Sequence, residues 1–448
     1  MLLHAPCVSV VAVEGDPNMR ALRFLGMLIA PVVVLSGCGG GSEPPAPVML
    51  RGHVVSTSGT PIQNAVVSAQ DVNDQPITTT DVTDVNGAYE LDVSRARNSA
   101  VKLRAAGAGY ESFPSGIRRS LPIDLSGAVK QGDVLVVSGL ETEVTLEQLA
   151  STSGLGSISG AVEGVGALVV AEGPVVRSAV SDIDGPYVIF NLPAGTYQVN
   201  AYAAGSQFIP APANVIDGAQ TSDVNLTRSG AATGSVSGNV NIVNAPGGSS
   251  TSVVLVVAST FNDVTLRGDV PPGLRAPRTG TPNVNGSFTI DNVPNGTYKV
   301  LAAFENDGLV RDPDPNIAGT QIVEITVAGG ATTLPNSFKI TGCLEVTAPG
   351  AGDAPTAVTG TPTFIWGDDS SEDYYTLEVL DTSGNIIWSD PDVPGVSGSP
   401  TVSVLYGGPA LTLGHTYQFR ATSWRSSGGQ ESGPISSTED LKGVFIVQ

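Results

Sequence analysis

Three times along the chain two turn-forming residues lead into a glycine and, two positions later, an aromatic. The copies are Asp84-Val85-Asn86-Gly87-Ala88-Tyr89, Asp182-Ile183-Asp184-Gly185-Pro186-Tyr187 and Asn283-Val284-Asn285-Gly286-Ser287-Phe288. Asn-Gly and Asp-Gly supply the positive φ that tight hairpin loops demand, so each copy predicts a turn followed by a strand that opens on its aromatic. In the second and third copies the agreement runs further. Asn191-Leu192-Pro193-Ala194-Gly195-Thr196-Tyr197 matches Asn292-Val293-Pro294-Asn295-Gly296-Thr297-Tyr298, and both glycines fall ten residues after the motif glycine. A second signal at a fixed offset marks an internal repeat. Upstream, each unit opens with a strand that carries a glycine: Leu50-Arg51-Gly52-His53-Val54, Ile158-Ser159-Gly160-Ala161-Val162 and Val236-Ser237-Gly238-Asn239-Val240.

Copy one continues with Gly59-Thr60-Pro61-Ile62-Gln63-Asn64-Ala65-Val66-Val67. This run, the Asx-Gly-x-aromatic turn and the Leu/Val-Pro-x-Gly-Thr-Tyr turn together resemble the carboxypeptidase regulatory-like, transthyretin-like β-sandwich, over roughly residues 49–340. In peptidases that module follows the catalytic domain and holds no catalytic residues, so the resemblance carries no peptidase activity with it. Copy one replaces the Pro-Gly-Thr-Tyr turn with Val93-Ser94-Arg95-Ala96-Arg97, copy two has a short first half, and copy three carries a Pro/Gly-rich insertion around Asp269–Pro282.

After Gly342 the pattern changes. Pro362-Thr363-Phe364-Ile365-Trp366 reads as a strand ending on a core tryptophan, and Tyr375-Thr376-Leu377-Glu378-Val379 alternates as a half-buried strand. Leu411-Thr412-Leu413-Gly414-His415-Thr416-Tyr417 then leads into a further alternating strand, a sequence that resembles the tyrosine corner of fibronectin type III-like sandwiches without the usual Pro before its Gly. The expected fold is all-β, with tandem small antiparallel β-sandwich (prealbumin-like or Ig-like) domains at residues 49–150, 155–228, 234–341 and 342–448. Of these the second is a shortened regulatory-like unit and the third one with an insertion.

Gly 54 and Pro 32 in 448 residues fit many short strands joined by turns. The net charge of −21 opposes nucleic-acid phosphates and offers no basic stripe along the chain. Three cysteines and three histidines leave little for metal or nucleophile chemistry. Cys343 reads as a small buried hydrophobe, while His53 and His415 stand apart in sequence, and no HExxH, CxxC, GxSxG or P-loop spacing is present. The Asp182/Asp184 turn lacks the ligand spacing of an EF-hand, since Val180 stands where a ligand is required. Asp368, Asp369, Glu372 and Asp373 read as a solvated acidic loop rather than a glycosidase pair. Trp388 and Trp424 are the candidates for carbohydrate stacking. No metal, cofactor or nucleic-acid partner is expected.

The amino-terminal forty residues address the chain. Arg20 and Arg23 precede an apolar run from Phe24 to Val34, followed by Leu35-Ser36-Gly37-Cys38. A basic start, a short apolar stretch and small residues at the cut describe a secretory signal, and the stretch is too short to span a bilayer comfortably. Leu35-Ser36-Gly37-Cys38 resembles the bacterial lipobox, which implies cleavage before Cys38 and lipidation of its thiol. Met19 lies nearer these charges than Met1 does, so residues 1–18 read as an over-called leader, 19–37 as the signal and 38–48 as a Gly/Pro tether. Gly39 after the cysteine implies an outer-membrane address, facing the periplasm or the cell surface. The expected function is a non-enzymatic structural, adhesive or assembly scaffold on the envelope, in contact with the membrane through its lipid and with surface polysaccharide or other envelope proteins. One alternative is a carbohydrate-binding lipoprotein; another is an accessory component of an extracytoplasmic hydrolase or peptidase system.

Overall fold

The computed structural model describes residues 45–448 except 165, 243–250, 277–285, 305–321, 341–342, 353, 370, 383, 428–429 and 440–441. The signal, Leu35, Ser36, Gly37, Cys38, the tether up to residue 44 and the Asn283–Asn285 turn lie outside the described residues. No helix among the described residues is long and apolar enough to cross a membrane.

The described residues are all-β, and the three repeats share one topology. In each, the opening strand pairs antiparallel with the aromatic strand: Val48–Ser56 with Ala88–Asp92, Leu155–Ala161 with Pro186–Pro193, and Gly234–Ile242 with Gly286–Val293. On its other side the opening strand pairs parallel with the unit's closing segment. The units are therefore mixed sandwiches rather than purely antiparallel ones. A second sheet faces each first one, built on Val66–Asp71 with Ala100–Ala106, on Leu168–Glu172 with Gly195–Tyr202, and on Thr251–Val257 with Gly296–Phe304.

The repeated glycine has a steric cause. Gly52, Gly160 and Gly238 lie in register with Tyr89, Tyr187 and Phe288 on the neighbouring strand. In each case the parallel partner breaks opposite the glycine. Val134–Val137 gives way to Val144–Leu146, Gln220–Thr221 to the Leu226 bridge, and Ala331–Thr333 to Phe338–Ile340. The tyrosine lies across the bare Cα and its hydroxyl reaches into that break, where Tyr89 donates to Thr142 O and Tyr187 to Val224 O, both at 2.6 Å. A buried hydroxyl needs such an acceptor. A Cβ on Gly52 or Gly160 would stand 2.1 or 2.0 Å from those same carbonyl oxygens. Phe288 has no hydroxyl to satisfy, and around Gly238 the nearest atoms are side-chain ends, at 2.9 Å.

The second signature works alike in both units that carry it. Tyr197 and Tyr298 are buried in their cores, and each donates its hydroxyl back to the proline carbonyl of its own turn, Pro193 O and Pro294 O, at 2.9 Å. In copy one, where that turn is missing, Ser94–Ala96 forms a single 3-10 turn instead.

The fourth sandwich sets Val346–Ala348, Thr363–Gly367 and Thr401–Leu405 against a sheet ordered Thr356–Val358, Val444–Val447, Thr416–Ser427, Tyr374–Asp381, Ile386–Pro394. Trp366 lies fully buried between them, with Phe364, Tyr375, Phe419 and Phe445.

The domains follow one another in sequence but fold back against each other. Leu168, Val170 and Tyr202 of the second sandwich belong to the same buried cluster as Val253, Leu255 and Tyr298 of the third, while Val169 and Ala171 fill the second sandwich's own core. That strand is buried on both faces, which is why it reads as the unbroken run Ala-Leu-Val-Val-Ala. Residues 269–276 of the insertion run beside Thr251–Val257, with Leu255 N donating to Leu274 O and Ala276 N to Val253 O, and Leu274 is buried in the shared core. The first sandwich touches all three others. Asn191 of the second donates to Gly107 O and Tyr110 O, Arg275 of the third pairs with Asp74 at 2.7 Å, and Thr382 of the fourth donates to the buried Glu147 at 2.5 Å.

Candidate functional site

The two candidate tryptophans share a sheet but occupy opposite faces of it. Trp388 pairs with Val379, whose side chain points inward, and packs edge-on against Tyr406 with ring centroids 5.1 Å apart. Trp424 pairs with the outward-facing Tyr374, stacks on its ring at 6.2 Å and donates its indole N–H to Thr376. Both are half-buried, and they form no common platform.

The remaining polar candidates take part in internal contacts. Asp182 is buried and its carboxylate is fully engaged, accepting from Asp184 N through one oxygen and from Thr80 N and Oγ1 through the other. It thus ties the second repeat's turn to the first sandwich. Asp84 accepts from Asn86 N and Ala88 N in the equivalent turn of copy one, and those bonds hold its carboxyl below the ordinary range. His53 lies 3.0 Å from Glu143 at the surface, and His415 lies 3.7 Å from Glu147. The acidic loop is not simply solvated. Tyr375 donates to Asp368, Ser423 and Ser371 donate to Asp369, and Ser426 N donates to Asp373. Glu372 is pushed up from the usual carboxylate range by desolvation, with the adjacent Asp368 charge adding to it. Cys343 is half-buried beside Leu344. Among the described residues no group of three His, Cys, Asp or Glu side chains is placed to hold a metal ion.

One concavity is formed by the docking of domains, which chain order does not show. A cleft of about 720 Å³ opens where the first three sandwiches meet. Its walls are the outer face of Ala100–Ala106, the edge strand Val176–Val180 and residues 259–270 of the third unit. Six of the chain's 21 basic residues line it: Lys102, Arg104, Arg118, Arg119, Arg177 and Arg267. Against them, among the described residues, stand three carboxylates, Asp74, Glu111 and Asp269, so the described lining carries an excess of three positive charges in a chain of net charge −21.

Each of those carboxylates is already engaged. Asp74 meets Lys102 at 2.5 Å and Arg275 at 2.7 Å, Glu111 meets Arg177 at 3.2 Å, and Asp269 accepts from Ser178 Oγ at 2.5 Å. Burial works against the ionised form of Asp74, but the two cations outweigh it and hold its carboxyl below the ordinary value. Arg104 and Arg118 make no ion pair among the described residues. Arg104 reaches the side-chain oxygen of Gln70 at 3.5 Å, while Arg118 donates to Thr145 O and lies 5.0 Å from the centre of the Phe113 ring. Desolvation draws the Arg118 pKa down, with Glu147 and Glu111 opposing. Its Nη1 is buried without a hydrogen-bond partner, as is Thr265 Oγ1 in the opposite wall.

The carboxypeptidase regulatory-like domain matches residues 49–136. The match covers the first sandwich through the start of its closing segment, and the topology common to the three repeats extends the same architecture to the other two. No curated protein matches the chain. Among solved structures, 3-chlorocatechol 1,2-dioxygenase from Rhodococcus opacus 1CP is similar at 17% identity and a TM-score of 0.17, over 24% of this chain and 62% of that one, so this chain spans less than two thirds of the enzyme. The major pilin subunit of Bacillus cereus is similar at 12% identity and a TM-score of 0.18, over 66% of this chain and 99% of that one. A streptococcal ancillary pilin is similar at 13% identity and a TM-score of 0.16, over 65% and 99%.

Two signals for the cleft stood in the sequence. Val101-Lys102-Leu103-Arg104-Ala105 alternates, which places two cations on one outer face of a strand, and Arg118-Arg119 is a basic pair in an acidic chain. The convergence of Arg177 and Arg267 upon them depends on how three domains dock.

Proposed function

We propose that the chain is an envelope lipoprotein, anchored through a lipid on Cys38, whose four β-sandwiches form a non-enzymatic scaffold. The observation that carries the scaffold reading is what the repeat's distinctive residues do. Tyr89, Tyr187, Tyr197 and Tyr298 hold backbone carbonyls within their own units, and Asp182 and Asn191 bolt one unit to the next. Domains that share a buried cluster move together, so the assembly suits holding a fixed shape at the membrane better than acting as a flexible stalk. The fourth domain reads as fibronectin type III-like: Trp366 is buried between its sheets, and the Tyr417 hydroxyl accepts from Thr412 N at 3.0 Å across the leucine-turn corner. Support for the anchor rests on Leu35-Ser36-Gly37-Cys38 behind its basic and apolar segments.

Labelling cells with a radioactive or alkyne fatty acid tests the anchor. The wild-type chain takes up label and sediments with outer membranes, and the Cys38→Ser variant loses both properties. Label retained by Cys38→Ser would overturn the lipoprotein assignment.

A further inference from the structure

We propose that the cleft between the first three sandwiches binds a small polyhydroxylated oxyanion, a ligand that presents carboxylate or phosphate groups on a sugar-like framework. The proposal goes beyond the scaffold reading and stands independently of the lipid anchor.

Acidic residues outnumber basic ones two to one here, 42 to 21, so a guanidinium would ordinarily meet a carboxylate wherever the fold allows it. Six cations instead converge on one concavity, and its three carboxylates are already engaged within the walls. Arg104 faces the same cleft without an ion-pair partner among the described residues, and Arg118 makes no direct ion pair there, with Glu147 and Glu111 as its nearby charges. Bringing like charges together costs free energy that an anion recovers, and guanidinium forks suit the planar or tetrahedral oxygens of carboxylate and phosphate. The negative field of the remaining surface favours a compact ligand that enters the basic cleft over an extended polyanion that must lie along the acidic exterior.

Size and lining narrow the class. At about 720 Å³ the cleft falls in the range of small-molecule sites and accommodates a ligand of two or three sugar rings. Ser112, Ser115, Ser120, Ser178, Ser259 and Thr260 ring it with hydroxyl groups able both to donate and to accept, the match for a hydroxyl-rich framework. Leu168, Val176 and Val180 supply a small apolar floor, and among the described residues no aromatic lines the cleft for stacking. Recognition therefore runs through charge and hydroxyl contacts.

Isothermal titration calorimetry on the full chain in detergent micelles tests this with three probes: trigalacturonate, glucose 6-phosphate and neutral maltotriose. We expect at least one of the anionic probes to bind, with affinity that falls steeply with added salt, and maltotriose not to bind. Binding of trigalacturonate alone assigns the oxyanion as a carboxylate, and binding of glucose 6-phosphate alone assigns it as a phosphate. Arg104→Gln, a change on the outer face of a strand, weakens binding about 10-fold or more, as expected for loss of a charge-assisted pair. Arg104→Glu abolishes it, and Arg51→Gln, outside the cleft, leaves it unchanged. Circular dichroism of each variant confirms folding. The proposal is overturned if neither anion binds at about 10 mM, roughly tenfold above a weak Kd of about 1 mM. It is equally overturned if a folded Arg104→Glu chain binds as tightly as the wild type.

Discussion

Gly160 and Gly238, equivalent positions of the repeat, respond differently to one added methyl group. In Gly160→Ala the new Cβ falls 2.0 Å from Val224 O and 2.6 Å from Val224 C, both backbone atoms of the closing segment. Relief requires moving that segment, which strains the Tyr187 hydroxyl bond to Val224 O and the Val224 N bond to Ser159 O. Overpacking of this kind costs about 1–3 kcal/mol and each hydrogen bond about 1 kcal/mol, for a total of about 3–5 kcal/mol. In Gly238→Ala the Cβ meets Leu334 Cδ1 and the Phe288 ring edge at 2.9 Å, side-chain ends that can turn aside. Alanine also restricts the unfolded chain, so the net cost there is about 0–1 kcal/mol. Native-state hydrogen exchange reads the difference. Amides of Ile158, Val162 and Tyr187 exchange about 10²–10⁴-fold faster in Gly160→Ala, whereas those of Val236, Val240 and Phe288 change by about tenfold or less in Gly238→Ala. Equal effects, or a larger one in Gly238→Ala, would refute the account of why the glycine recurs.

Two further perturbations probe the docking of the domains. Asp74→Asn removes the carboxylate charge that Lys102 and Arg275 share and destabilises the chain by about 2 kcal/mol, between the values for exposed and buried pairs, as read from urea unfolding. The folded Asp74 pKa lies below that of the unfolded chain, so the folded state binds fewer protons and acid favours unfolding. The wild type's advantage over Asp74→Asn is therefore full above about pH 4 and shrinks as pH falls through the folded pKa; an advantage that grows with acid would contradict the assignment. Glu147→Ala removes the acceptor for Thr382 Oγ1 and Thr416 N between the first and fourth sandwiches, at a cost of about 2–3 kcal/mol. Exchange at the Thr416 and Ile117 amides should rise together while Leu377 and Val379 stay protected, and unchanged exchange at both would show that Glu147 does not hold this interface.

Much of the architecture was legible because turn chemistry and strand alternation are local. The Asx-Gly pairs announced hairpins, and Gly87 and Gly185 adopt the positive φ, +74° and +101°, that the motif demands. Asn191 and Asn292 carried a further signal in the matched turn, since both stand at φ near +60° and mark a left-handed residue before the proline. Trp366 was recognisable as core from the alternation of its strand. Trp388 and Trp424 were harder to place, because spacing does not reveal the bulges between Tyr375 and Leu377 and between Val379 and Leu380 in the pairing of the Trp388 strand, or the one between Ser423 and Trp424 on the other side of the Trp424 strand.

What chain order determined, then, is the kind of unit and how often it recurs, because a turn, a bare glycine and an aromatic two residues on act within one hairpin and its neighbour. It also supplied the Leu35-Ser36-Gly37-Cys38 string on which the proposed anchor rests. Tertiary structure alone decided how the units meet: that Leu168 and Val170 face a second core, that Glu147 is buried against the fourth domain, and that cations from positions 102–119, 177 and 267 share a cleft. The physical reason is range. Backbone preference and alternation reach a few residues along the chain, whereas charge and apolar surface act through space on whatever the docking of whole domains brings close.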